Sequence, residues 1–471
     1  MTRPLLPKYS TKIRFGICIL FQRDVVMAIR FHLFAFVALM LASHAIGADW
    51  AQFRGGSQMS HAGASSAPVS WAKGTTPAWR TEIPGSGWSQ PIVAQGKIFL
   101  TTAISKTPDK PKGMMGGVMD PSTMGKPAMP KDPIQFAVIC IDPKSGSIVW
   151  QKVVAEAIPT TGKHASNTYA TETPCASSDT LYAYFGAIGR VAAMDFEGNI
   201  KWTQDFGPQP TNNQFGTGAS LVLFDDALVV QRYNEQEGKL LCLNTSDGST
   251  RWTAERSPGT SWATPIVWSN QGQQQVVAAG QGMVLGYDLK SGEEQWRLGG
   301  LDTSFSCSLV ADESGVYIGT SSPGSSAPIC AVRSGQKGDL TLPKGAKSSE
   351  SVLWAKTKSG AGMPSPVLVQ GLLYYFGNTI TCYDAKTGEE KFRKRMPGGT
   401  LAAGCPLVIG DQILVVNERG TVVTLRSGSE YVDPQESEIA AEGEFFWATP
   451  AAMDQALLVR SSAALYCFGT P

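Results

Sequence analysis

The strongest constraint on how this chain can fold is a short motif that returns along most of its length. Asp142-Pro-Lys-Ser-Gly146-Ser-Ile-Val-Trp150 is echoed by Asn244-Thr-Ser-Asp-Gly248-Ser-Thr-Arg-Trp252, Asp288-Leu-Lys-Ser-Gly292-Glu-Glu-Gln-Trp296 and Asp384-Ala-Lys-Thr-Gly388-Glu-Glu-Lys-Phe392, with a copy one residue shorter from Asp195 through Gly198 to Trp202. An Asp or Asn side chain closes a tight turn over its own backbone and Gly supplies a positive φ. The aromatic residue four positions on is expected to anchor the following strand. Each copy therefore predicts a hairpin. A second landmark precedes the hairpins: Trp88-Ser-Gln-Pro91, Thr171-Glu-Thr-Pro174, Trp262-Ala-Thr-Pro265, Met363-Pro-Ser-Pro366, Ala403-Gly-Cys-Pro406 and Trp447-Ala-Thr-Pro450, with degenerate copies Thr217-Gly-Ala-Ser220 and Phe305-Ser-Cys-Ser308. That makes eight copies.

Between landmarks lie short β-rich runs such as Gly96-Lys-Ile-Phe-Leu-Thr-Thr102 and Gln412-Ile-Leu-Val-Val-Asn417, and no long stretch has helical periodicity. Units of about 45 residues with four short strands are propeller blades. The expected fold is all-β: an eight-bladed β-propeller of four-stranded antiparallel blades. The last unit ends at Leu465-Tyr-Cys-Phe-Gly469 after three strands, while Thr76-Pro-Ala-Trp-Arg-Thr-Glu82 offers a strand without a blade. The ring is thus expected to be closed by an N-terminal strand, which removes an exposed edge. Two long spacings coincide with Gly/Pro/Lys-rich insertions at about 105–133 and 333–350.

Arg30 is followed by the mostly apolar run Phe31–Ala42 and by small residues from Ser43 to Ala48. This is the order of a secretory signal. A spanning helix needs about 20 apolar residues, so export is expected in place of anchoring. The sequence divides into a signal region 1–48, with translation starting at Met27 and cleavage near Ala48, an N-terminal extension 49–75, and a propeller 76–471 with a mobile insertion at 105–133. The expected destination is periplasmic or extracellular. With 42% hydrophobic and 17% charged residues and a net charge of +1, the chain has ample material for a large core. That balance argues against disorder and against nucleic-acid binding, and points to a neutral protein partner or a small ligand.

The Ala/Cys-x-Asp-x-x-x-Gly-x-x-x-Trp repeats, the opening Asp49-Trp-Ala-Gln-Phe-Arg-Gly55 and the run His164-Ala-Ser-Asn-Thr-Tyr-Ala-Thr-Glu-Thr-Pro174 resemble the PQQ-binding-like β-propeller repeat family of exported bacterial proteins. The resemblance covers essentially all of residues 49–471. It implies an eight-bladed fold shared by quinoprotein dehydrogenases and by the BamB-like scaffold of outer-membrane assembly. The dehydrogenase branch holds PQQ (pyrroloquinoline quinone) between a Trp face and a disulfide of adjacent cysteines, with Ca²⁺ on Glu, Asn and Asp ligands. No two cysteines are adjacent here and no Cys-x-x-Cys-His occurs. The reading is therefore a non-enzymatic exported scaffold, expected to be a monomeric propeller without a cofactor. The alternative is a quinoprotein-like oxidoreductase taking PQQ with Ca²⁺ at the central channel mouth.

Candidate binding residues gather at that mouth. Trp88, Trp262 and Trp447 share one phase of the landmark and are expected either to stack on a flat or sugar-like ligand or to wedge between blades. Glu172, with His164, Asn167 and Tyr169 just upstream, is the one polar constellation at the same end, suited to acid/base work or to a loop hydrogen-bond network. No catalytic residue is assigned. Four histidines occur; His32 and His44 fall in the signal region, so only His61 and His164 remain, and no metal site is predicted. Cys140, Cys242, Cys382 and Cys467 repeat at one position and Cys175, Cys307 and Cys405 near first strands, which suits small buried hydrophobes in separate layers better than disulfides. Met114, Met115, Met119, Met124 and Met129 crowd the first insertion; a mobile loop is expected, and Cu(I) capture is the chemical alternative.

Overall fold

The computed structural model describes residues 50–63, 65–113, 129–301, 305–320, 328–357, 363–399 and 404–471. The signal region with its Met27 start and its cleavage site lies outside them, as do residues 114–128 of the Met-rich insertion. Regular structure among the described residues is β-strand, apart from three short 3-10 turns. The strands form eight antiparallel sheets of four, one of them with an added fifth strand. Their innermost strands are Ile92–Ala94 in blade 1, Cys175–Ala176 in blade 2, Val222–Phe224 in blade 3 and Ile266–Asn270 in blade 4. Blades 5 to 8 begin with Val310–Ala311, Val367–Val369, Leu407–Ile409 and Ala451–Met453. Blade 8 is completed by Trp79–Glu82, whose Trp79 pairs with Cys467 and Glu82 with Ala464. The ring closure read from the sequence is the one observed.

The repeated aromatic does more than anchor its own strand, because it docks on the next blade. Trp79 Nε1 donates to Pro143 O, Trp150 to Phe196 O, Trp202 to Thr245 O, Trp252 to Leu289 O and Trp354 to Ala385 O, at 2.7–3.0 Å. Each acceptor lies in the Asp-Gly turn of the following blade, and the ring covers that turn. A Cβ on Gly146 would sit 2.6 Å from the Trp79 ring. Gly146 is therefore required twice, by its φ of 71° and by the indole above it. Trp296 is the exception. Blade 5 carries the second insertion where its turn would be, so Trp296 turns inward, is 1% exposed and donates to Gln275 Oε1. Part of that insertion, Gly338–Asp339, instead adds a parallel fifth strand to blade 4, opposite Trp296 and Arg297.

Trp79→Ala removes an indole, its inter-blade hydrogen bond and packing at the closure. We expect a loss of about 2–3 kcal/mol in urea unfolding, less than for a fully buried Trp because the ring is half exposed. An unchanged midpoint would mean the closure is not held there.

The landmark residues form a belt around the channel. The backbone N–H of Gln90 donates to Thr173 Oγ1, Thr173 to Ser220 Oγ, Ser220 to Thr264 Oγ1, Thr264 to Ser308 Oγ and Ser308 to Ser365 Oγ. Ser365 then donates to Cys405 Sγ and Cys405 to Thr449 Oγ1, and the Gln90 amide closes the circle onto Pro450 O. One hydrogen-bonding side chain per blade thus ties each blade to its neighbour. The belt also corrects the register of the two degenerate copies. Ser220 and Ser308 occupy the third landmark position, so Gly218 and Ser306 match the Trp position, and Thr217 and Phe305 precede it. Trp262 N–H donating to Phe305 O, as Trp88 N–H does to Ala170 O, fixes the same alignment.

Candidate functional site

The central channel has two ends: a loop face, where the innermost strands begin, and a hairpin face, where the Asp-Gly turns lie. On the loop face Trp88 is 5% exposed, donates from Nε1 to Ser166 O at 2.8 Å and stacks on Trp447 with ring centroids 6.1 Å apart. Trp447 donates to Glu418 Oε1 at 2.9 Å. Trp262 donates to Gly216 O at 2.7 Å and lies 6.3 Å from the Phe215 ring. All three indoles thus reach across to an adjacent loop. Wedging accounts for Trp88, while Trp262 and Trp447 stay half exposed.

The polar candidates separate in space. His164 Nδ1 pairs with Ser166 Oγ at 2.6 Å and its ring meets the edge of Phe215. Asn167 donates to Phe215 O and Thr217 O and accepts from Thr168 N–H and the Thr171 hydroxyl. Tyr169 is buried and donates to Thr161 O, with Lys163 over its ring. These contacts lock the loop 163–171 against the loop 212–217. Glu172 turns the other way. It is fully buried between blades 2 and 3, where Oε1 accepts Gly186 N–H at 3.2 Å and Oε2 has no hydrogen-bond partner. Burial pushes its carboxyl up to about 7, against the opposing pull of the Thr217 hydroxyl and the Gly186 N–H. No hydrogen bond joins His164 to Glu172, and burial lowers the His164 imidazole. Among the described residues no three His, Cys, Asp or Glu side chains gather to hold a metal, and the described cysteines are all buried and free.

Sequence reasoning missed the residues that fill the channel itself. Residues 50–62, expected as part of a plain extension, lie in the hairpin end of the channel and follow its innermost strands in blade order. Trp50 bridges Val93 of blade 1, Ala51 O accepts from Ala176 of blade 2, and the Gln52 side chain bonds both backbone groups of Leu223 in blade 3. His61, one of the two histidines left for chemistry, is committed to Leu368 O of blade 6 at 2.8 Å. Arg54, 3% exposed, sits at the centre. Its N–H donates to Gln90 Oε1, its Nε to Ser60 Oγ, Nη1 to Leu309 O and Nη2 to Pro366 O and Met59 O. Its side chain thereby joins blades 5 and 6, and its backbone N–H adds blade 1. Burial lowers its pKa from the ordinary value, and none of its hydrogen-bond partners is a carboxylate. The flanking Gly55 and Gly56 were the signal in the sequence for a tight reversal, which the structure realises with positive φ at Arg54, Gly55 and Gly56. Beyond the channel the thread passes Asp454, stacks Trp71 on Phe468 at 4.2 Å and reaches blade 8.

Eight four-stranded blades, indoles docked from five of them onto the next and a belt at the channel define a PQQ-repeat-type β-propeller. The chain belongs to the family whose model is described as outer membrane protein assembly factor BamB, which matches residues 187–340 and 333–430. No curated protein matches the chain. Among solved structures it resembles the quinohemoprotein alcohol dehydrogenase of Comamonas testosteroni at 10% identity, covering 92% of this chain and 82% of that one with a TM-score of 0.59. The Dos1 propeller aligns at 12% identity over 84% and 95% with a TM-score of 0.55. BamB from Moraxella catarrhalis aligns at 15% identity over 72% and 95%, with a TM-score of 0.47. At these identities the structural likeness concerns the fold.

Proposed function

We propose that the protein is an exported, non-enzymatic scaffold that holds a protein partner against its loop face. The observation that carries this reading is the Phe215 cluster. Phe215 is 40% exposed, yet its backbone is fastened by Asn167 and by the His164 N–H, and its ring lies between His164 and the half-exposed Trp262. An aromatic side chain held out to solvent by an ordered loop is a preorganised anchor for an interface. The filled channel supports the same reading, since the chain's own residues occupy the axis of the ring. Membership of the BamB-described family agrees with a scaffold. Among the described residues no helix is long and apolar enough to cross a membrane.

The dehydrogenase-like relatives raise the question of PQQ with Ca²⁺. The residues present do not fit that group. No two cysteines are adjacent, the described ones are free, and Glu172 faces the gap between blades 2 and 3 with no second carboxylate beside it.

A photo-crosslinking residue at position 215, installed in cells that express the protein, is expected to give one discrete adduct that the same residue at Lys337 does not. Adding Trp262→Ala should weaken that adduct at least tenfold while leaving the melting temperature within a few degrees. Diffuse labelling at both positions, or saturable stabilisation by PQQ with Ca²⁺ together with dye-linked turnover, would overturn the reading.

A further inference from the structure

On the hairpin face a cavity of about 190 Å³ lies between the channel segment and the innermost strands of blades 3 and 4. Its floor holds Arg54, Thr264 and Ser308; Met59, Leu221 and Ile266 supply apolar wall, and Asp225 stands at the exposed rim. Three features set it apart from a packing defect. A guanidinium carries five N–H donors, and the bonds described above use four of them, leaving one Nη1 hydrogen without an acceptor. Thr264 and Ser308 each accept a neighbour's backbone N–H in the belt, and among the described residues neither hydroxyl hydrogen has an acceptor. The cavity therefore combines a buried cation that lacks a carboxylate partner with two uncommitted O–H donors, opposite an apolar wall. Donors without acceptors around one positive charge complement an anion.

We propose that this cavity binds a small carboxylate with a compact apolar body. A volume of this size suits a molecule of amino-acid size. The carboxylate accepts from Arg54 Nη1 and from the Thr264 and Ser308 hydroxyls, and the apolar body lies against Met59, Leu221 and Ile266. Asp225 at the rim would repel a second carboxylate and favour an ammonium group, so an aliphatic α-amino acid uses both ends of the site. This site is separate from the Phe215 cluster and does not depend on the scaffold reading.

The test uses the full chain and four probes: 4-methylpentanoate, its neutral amide, leucine, and a dicarboxylate of the same length. Thermal stability and titration calorimetry are expected to show saturable binding of the monocarboxylate, at least tenfold weaker binding of the amide, and rejection of the dicarboxylate, with leucine the tightest. Leu223→Trp, at the cavity wall, is expected to abolish binding, with an unliganded melting temperature lowered by overpacking of this buried position. The wild-type comparison of acid against amide decides the proposal even if that variant misfolds. Equal binding of acid and amide, or no binding of any probe at 10 mM on the scale of weak small-molecule affinities, overturns it. Leucine binding no tighter than 4-methylpentanoate overturns the part assigned to Asp225.

Discussion

Arg54→Met is expected to destabilise the protein by about 3–5 kcal/mol, the largest effect of any single substitution considered. Methionine fills much of the same volume, so the loss comes from hydrogen bonding. Leu309 O and Pro366 O are left as buried acceptors, and each such group costs about 1–3 kcal/mol when unsatisfied. Removing a buried charge returns part of that. Yet this charge is already solvated by three carbonyls and a hydroxyl, so the acceptors dominate. The substitution also removes the guanidinium bonds that help hold Arg54 at a φ of 57°, a conformation that costs about 1 kcal/mol on its own. Urea unfolding checks the magnitude, and limited proteolysis checks the cause: cleavage should appear first within residues 50–62. A loss below about 1 kcal/mol would mean that the blades are held by the belt and the docked indoles alone.

The second large effect is a pH dependence located at Glu172. Its carboxyl titrates near 7 in the folded protein against an ordinary value of 4.5. Between those two values the folded state keeps a proton that the unfolded state releases, so stability falls as pH rises through this window and levels off above it. The charged and titratable groups of the surrounding network are Tyr184, Arg232 and Glu237. Arg232 is already paired with Glu237 and hydrogen-bonded to Tyr184, so its charge is largely committed away from Glu172. A shift of this size corresponds to about 3 kcal/mol, reached in full only if the site excludes water. The expected result is that wild type loses on the order of 3 kcal/mol relative to Glu172→Gln between pH 4.5 and 8. The comparison needs the two denaturation profiles measured across that range. Parallel profiles would place the Glu172 titration back in the usual carboxylate range.

How legible this was in the sequence depended on whether a feature repeats. The blades, the Asp-Gly turns and the closure by Trp79–Glu82 rest on local signals present many times over, so one weak copy is supported by its siblings. The sequence pattern places Thr217 and Phe305 one residue early, because the proline that marks the landmark is Leu221 in one copy and Leu309 in the other. The hydroxyl that serves the belt was there, at Ser220 and Ser308, and it is the hydrogen bond rather than the proline that the position requires. Arg54 had no sibling. Its role depends on acceptors more than 250 residues away, at Leu309 and Pro366, and no local pattern announces such partners. Glu172 was found as a carboxylate at the right end of the blade. Its direction was not, because the second landmark position faces the gap between blades while its neighbours face the channel. Met114, Met115, Met119 and Met124 lie outside the described residues, and Met129 is exposed.

The path of the N-terminal thread also sets an order of events. Residues 50–62 seat against strands of blades 1 to 7, and Trp79–Glu82 pair with Ala464–Cys467, far along the chain. A ribosome releases the early partners long before the late ones exist, and contacts so distant along the chain form slowly. Trp79–Glu82 must therefore wait, unpaired, until Ala464–Cys467 have been made. Blade 8 closes only once Ala464–Cys467 have been made, so fragments stalled short of them keep an open edge by which they can be told from chains that have closed the ring.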